Sequence, residues 1–121
     1  AGELSTRFFA RGIRHRSGAS EAVGQLCVGD ELVLVEEPEN EVNARALLLH
    51  TRTGQCVGWA PDYLLDLLHD LREINGEPPP ITVEHVNPPS VAAHLRLLCR
   101  VVAPWPASYE PFTGPDFYPL A

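Results

Sequence analysis

The apolar residues of this chain come in short runs of strand length, separated by clusters of Gly, Pro, Asn and Asp. That spacing confines it to a small antiparallel β fold, because adjacent short strands can pair through tight turns. The most local pairing is a hairpin. Ala44 to Thr51 reads as one strand, Arg52-Thr53-Gly54 as the turn, and Gln55 to Trp59 as the returning strand. Glu31 to Glu36, Ile81 to Val86 and Leu95 to Val102 read as further strands, rich in Leu and Val. Thr6 to His15 reads as the first strand, interrupted by Gly12, and glycine inside a strand marks a bulge or a close approach.

One segment carries a helical period instead. Leu64, Leu67, Leu68 and Leu71 recur at the spacing of one buried helix face, after Pro61 and before Asn75-Gly76, so a helix is expected over about 61–74. Asp62, Asp66, Asp70 and Glu73 share another face of that helix. A second, short helix is expected over about 20–26, with Ser20 as its N-cap. The expected architecture is mostly β: about six strands in a small barrel or strongly bent sheet, with a helix packed on it. At 121 residues the chain makes one domain of ordinary size, able to bury a core without disulfides or metal. Residues 1–102 form the expected barrel. Residues 103–121 hold five of the twelve prolines together with Trp105, Tyr109, Phe112, Phe117 and Tyr118, and read as an irregular tail that lays aromatic rings on the domain.

Charge is distributed unevenly. Every basic residue is Arg. The first 16 residues carry Arg7, Arg11, Arg14 and Arg16 against Glu3, a balance of +3, and the remainder carries −10. A basic N-terminal strand therefore sits on an acidic body, which argues against non-specific coating of nucleic acid. The absence of Lys excludes a P-loop phosphate site, Schiff-base chemistry and nucleases that need a catalytic Lys. Cys27, Cys56 and Cys99 are far apart in apolar segments, which reads as three buried reduced thiols in a cytoplasmic protein. His50 with Cys56, and His94 with Cys99, do not repeat zinc-ligand spacing. No Gly-x-Ser-x-Gly elbow is present, so no Ser/His/Asp catalysis is expected. No apolar run approaches the ~18 residues of a membrane span, and the first residues carry no signal-peptide pattern. No enzyme activity, cofactor or metal is expected.

A series of motifs in fixed order is more specific. Gly12-Ile13-Arg14-His15 is followed by Val28-Gly29-Asp30-Glu31-Leu32, then by the loop Glu37-Pro38-Glu39-Asn40 with Ala46 in the next strand. Gly54-Gln55-Cys56-Val57-Gly58-Trp59 and the helix from Pro61 come after. From Arg7 to Leu71 this order resembles the HIRAN family, whose members include bacterial stand-alone and fused modules. The resemblance implies a six-stranded OB-like barrel that holds single-stranded DNA at its 3′ end on behalf of a larger repair protein. It implies that Arg14 and His15 hold backbone and base, and that Trp59 supplies a ring. It makes Gly12, Pro38, Asn40, Ala46 and Gly58 the structural motif. The pattern departs at Val42 and Asn43, where an aromatic and an acid are expected against the terminal hydroxyl. It departs again at Asp62, where a Lys is expected, and between Ile81 and Val102, where an aromatic is missing.

Chemistry supports a small platform of this kind. Cationic side chains hold phosphates and aromatic faces hold bases, and Arg14, His15, Arg16, Asn43 and Trp59 are the candidate nucleic-acid contacts. The competing readings stay open. The arginines could solubilise an edge strand, Trp59 could be core, Asn43 could bond its own backbone, and Asn40 is expected to cap its loop. The acidic stripe Asp62, Asp66, Asp70 and Glu73 would repel phosphate and place DNA elsewhere, and it could instead attract a basic protein partner. Two functions follow: a single-stranded or end-binding DNA module, or a protein-interaction module on the same barrel.

Overall fold

A computed structural model of the protein describes residues 2–15 and 18–105. Six antiparallel strands form one sheet in the order β1-β6-β5-β2-β3-β4. They are β1 (Gly2–Phe9), β2 (Glu31–Glu36), β3 (Leu47–His50), β4 (Cys56–Trp59), β5 (Ile81–Val86) and β6 (Leu97–Trp105). The sheet curls into a half-barrel, and its two ends meet at one bridge, where Arg11 beyond β1 pairs with Trp59 of β4. Helix α1 spans Ala19–Gly24 and helix α2 spans Leu65–Asn75.

Glu31 to Glu36 forms the expected strand, and its side chains alternate: Leu32 and Leu34 are buried while Glu31 and Val33 face out. The period-3.6 reading holds in α2. Leu64, Leu67, Leu68 and Leu71 are all buried, and Leu65 joins them. They pack in one core with Phe8, Leu49, Ile81, Leu97 and Val101 from the inner sheet face. Gly76 stops α2 in the left-handed conformation (φ 80°), and its N–H returns to the Arg72 carbonyl at 2.9 Å. The hairpin pairs Leu48 with Trp59 and Leu49 with Gly58. A bulge then adds Val57 to β4 before His50 meets Cys56.

Several expectations need correction. The first strand starts at Gly2 and ends at Phe9, not at His15. Gly12 turns the chain at φ 74°, and Ile13–His15 forms a 3-10 turn. Arg14 and His15 therefore lie on a turn beyond the sheet. A 3-10 turn at Asp62–Leu64 precedes α2, with Pro61 as its extended N-cap. The cap of α1 is Gly18, not Ser20. The last strand, expected over 95–102, is β6 at Leu97–Trp105, and the proposed tail from residue 106 onward lies outside the described residues. Of the three thiols only Cys99 is buried; Cys56 is half-buried and Cys27 exposed, because Cys27 sits in the turn before β2.

Candidate nucleic-acid interface

The junction that closes the half-barrel needs two glycines. Arg11 and Trp59 exchange backbone hydrogen bonds in both directions at 2.8 Å. This brings the Arg11-Gly12 backbone against the end of β4. A Cβ on Gly12 would lie 2.4 Å from Trp59 Cε3, and one on Gly58 would lie 2.8 Å from the Arg11 carbonyl oxygen. Both residues have positive φ, 74° and 135°. Side chains at either position would push the two ends of the sheet apart.

The loop between β2 and β3 packs its polar groups around Trp59. Glu37 Oε1 accepts the Trp59 indole Nε1–H at 3.1 Å and the Asn40 amide at 2.6 Å. Asn40 Oδ1 in turn accepts the N–H groups of Val42 and Asn43, both at 2.9 Å. Asn40 is thus a loop cap, the bond pattern that lets Asn replace backbone partners in a tight turn. Asn43 Oδ1 accepts the Arg45 N–H at 2.9 Å, so Asn43 bonds backbone of its own loop. Pro38 is exposed in the same loop, and Ala46 is buried where β3 begins. Helix α2 braces the loop from behind: His69 Nε2 lies 2.9 Å from the Arg45 carbonyl, Asp66 pairs with Arg45 at 3.5 Å, and Arg72 pairs with Glu36.

These elements enclose an open groove of about 530 Å³. Arg11, Gly12, Asn40, Val42, Asn43, Ala46 and Trp59 line it, together with the turn from Ala60 to Tyr63. Asn43 and Trp59, two of the candidate contacts, meet here. The departures Val42 and Asp62 meet here as well. Asp62 therefore does not belong with an acidic face remote from the groove, because the 3-10 turn before α2 carries it to the groove wall. Asp66 and Glu73 are exposed along α2 and Asp70 is half-buried. Arg14 is exposed on its turn and does not line the groove. His15 belongs to the same turn, but its side chain, like all of Arg16, lies outside the described residues.

Two groove residues escape a reading by period. Arg11 enters because β1 ends at Phe9 and the Arg11 backbone pairs instead with Trp59. Tyr63 lies off the Leu64/Leu67/Leu68/Leu71 stripe, four residues after Trp59, and an aromatic off the buried stripe at a helix start was the available signal. Among the described residues lining the groove, Arg11 is the one cation and Asp62 the one anion. Among the described residues no cluster of three His, Cys, Asp or Glu side chains is placed to hold a metal ion.

Two solved structures share this fold. A protein from Lactobacillus plantarum is similar at a TM-score of 0.64 and 18% identity, over 84% of this chain and 99% of that one. The HIRAN domain of human HLTF is similar at a TM-score of 0.56 and 16% identity, over 84% of this chain and 80% of that one. The fold is HIRAN-like. No family profile matches the sequence, and no curated protein matches it.

Proposed function

We propose that this chain is a non-catalytic nucleic-acid-binding module that takes single-stranded DNA, or a DNA 3′ end, into the groove beside Trp59, in the service of a larger repair or processing protein. The observation that carries this reading is the groove itself. It joins an indole, a guanidinium, the Asn43 side chain and exposed apolar side chains at the closure of a HIRAN-like half-barrel. Aromatic faces hold unstacked bases and cations hold phosphates, and both are within one groove here. Arg14 lies on the turn after Gly12, and in this reading it meets the strand's backbone away from the groove, with His15 and Arg16 as its neighbours in sequence.

The test is fluorescence anisotropy with a short labelled strand ending in a free 3′ hydroxyl or a 3′ phosphate, for wild type and Arg14→Ala. Tighter binding of the hydroxyl end, weakened by Arg14→Ala, supports end recognition with Asn43 in the acid's place. Equal binding of both ends reduces the reading to single-strand binding. The second reading, a basic protein partner on α2, is favoured by Asp66, whose side chain is 88% exposed. Absence of DNA binding at low salt would move the assignment there.

A further inference from the structure

We propose that Tyr63 is the stacking residue of this groove, and that contact with a nucleobase, not with phosphate, carries most of the affinity there. The inference rests on the nucleic-acid reading above and names the part of the ligand that the groove selects.

Three observations converge. First, the two aromatic rings of the groove differ in freedom. Trp59 is fixed at both ends: its Nε1–H is bonded to Glu37, and its six-membered ring lies against Gly12 so closely that a Cβ there would not fit. It is a rigid wall. Tyr63 is 67% exposed, while its backbone is held on a 3-10 turn between buried Pro61 and buried Leu64. A ring anchored at its Cα but exposed at its face can close on a flat ligand without disturbing the core. Secondly, Val42 lines the same groove at 93% exposure. Single exposed apolar side chains need no explanation, but two that line one groove beside an indole make an apolar surface for a partner. Thirdly, among the described residues lining the groove the formal charges of Arg11 and Asp62 cancel. A site built for consecutive phosphates would carry several cations, and Asp62 opposes a phosphate placed beside it.

A base stacked between or against these rings is the flat, uncharged group that such a groove accepts. Loss of one stacking ring lowers affinity by roughly tenfold or more, and the hydroxyl of Tyr63 is not needed for it.

The experiment measures binding of a short single strand by wild type, Tyr63→Ala, Tyr63→Phe and Trp59→Leu. Each is tested on a fully natural strand and on strands with one abasic nucleotide stepped through every position. Tyr63→Ala is expected to weaken binding about tenfold and Tyr63→Phe less than about twofold. At one abasic position wild type is expected to lose the same factor, and Tyr63→Ala to lose nothing further. If Tyr63→Ala binds as wild type while Trp59→Leu loses affinity, the groove still binds DNA and the assignment to Tyr63 is wrong. If wild type binds no strand, this proposal and the nucleic-acid reading fall together. Thermal melts establish that each variant is folded, and exposed Tyr63 makes its substitutions safe on that count.

Discussion

The Trp59 indole donates its Nε1–H to Glu37 Oε1 at 3.1 Å, the same oxygen that holds the Asn40 amide at 2.6 Å. One carboxylate oxygen thus sets both the orientation of the ring and the shape of the loop facing it. Glu37→Gln keeps an oxygen that can accept both bonds, whereas Glu37→Leu strands two donors in a part-buried site. The expected costs in urea unfolding are under about 1 kcal/mol for Gln and about 2 kcal/mol for Leu. Equal costs would mean that the shared oxygen does not hold the ring.

Gly12 and Gly54 separate two reasons for glycine. Both have positive φ, but a Cβ on Gly54 meets nothing within 4 Å, while one on Gly12 runs into the Trp59 ring. Gly54→Ala is expected to cost about 1 kcal/mol from backbone strain alone. Gly12→Ala adds a steric clash at the barrel closure and is expected to cost about 3 kcal/mol. Chemical denaturation of both variants tests this, and a Gly12→Ala protein as stable as Gly54→Ala would contradict the closure described.

The cysteines make a chemical test of burial. Burial pushes the Cys99 thiol up to about 12 from an ordinary 9.0, while Cys27 is exposed. With a thiol-specific reagent at about pH 8, Cys27 should react at once and Cys99 only on unfolding. The sign of the pH dependence follows. The native state keeps the Cys99 proton where the unfolded chain releases it, so this contribution is complete below pH 9 and is lost as pH rises toward 12. That loss is at most about 1.4 kcal/mol per pH unit. Cys99→Ala should flatten the alkaline slope, and an unchanged slope would refute the assignment.

Arg96 is 3% exposed, yet among the described residues its acceptors are neutral: Ser20 Oγ at 2.8 Å, the Ser20 carbonyl at 3.5 Å and the Asn87 carbonyl at 3.3 Å. It pins the loop between β5 and β6 to α1. Arg96→Ala removes these bonds and leaves a void, at an expected cost of about 2–3 kcal/mol. Arg96→Met refills most of the volume and should cost less, since it also removes a buried charge. Calorimetric unfolding distinguishes them, and an Arg96→Ala change below about 0.5 kcal/mol would show that the clamp is not needed.

Much of this architecture is legible in the chain because local rules agree with the fold. Glu31 to Glu36 and Ile81 to Val86 match β2 and β5 residue for residue, since apolar patterning and flanking turn residues coincide there. The Leu stripe of α2 and the Arg52-Thr53-Gly54 turn are equally local. The candidate site is less so. It depends on the long-range pairing of Arg11 with Trp59 and on how far the 3-10 turn carries Asp62 and Tyr63. The strand expected from Thr6 to His15 stops at Phe9, and the chain beyond Gly12 turns away from it. A glycine at positive φ changes the direction of everything after it, and no period registers that. Cys27 reads as buried because its neighbours Leu26 and Val28 are apolar, whereas Val28 is itself exposed.

The central claim is that the groove at the Arg11–Trp59 junction is the binding surface. The most direct test is a titration of the ¹⁵N-labelled protein with a short single-stranded DNA, following backbone amides and the Trp59 indole Nε1–H by NMR. The account predicts that the indole resonance and the amides of Arg11, Asn43, Asp62 and Tyr63 shift together with one affinity, while those of Asp70 and Glu73 stay in place. Shifts confined to the acidic face of α2, or no shifts at all, would contradict it.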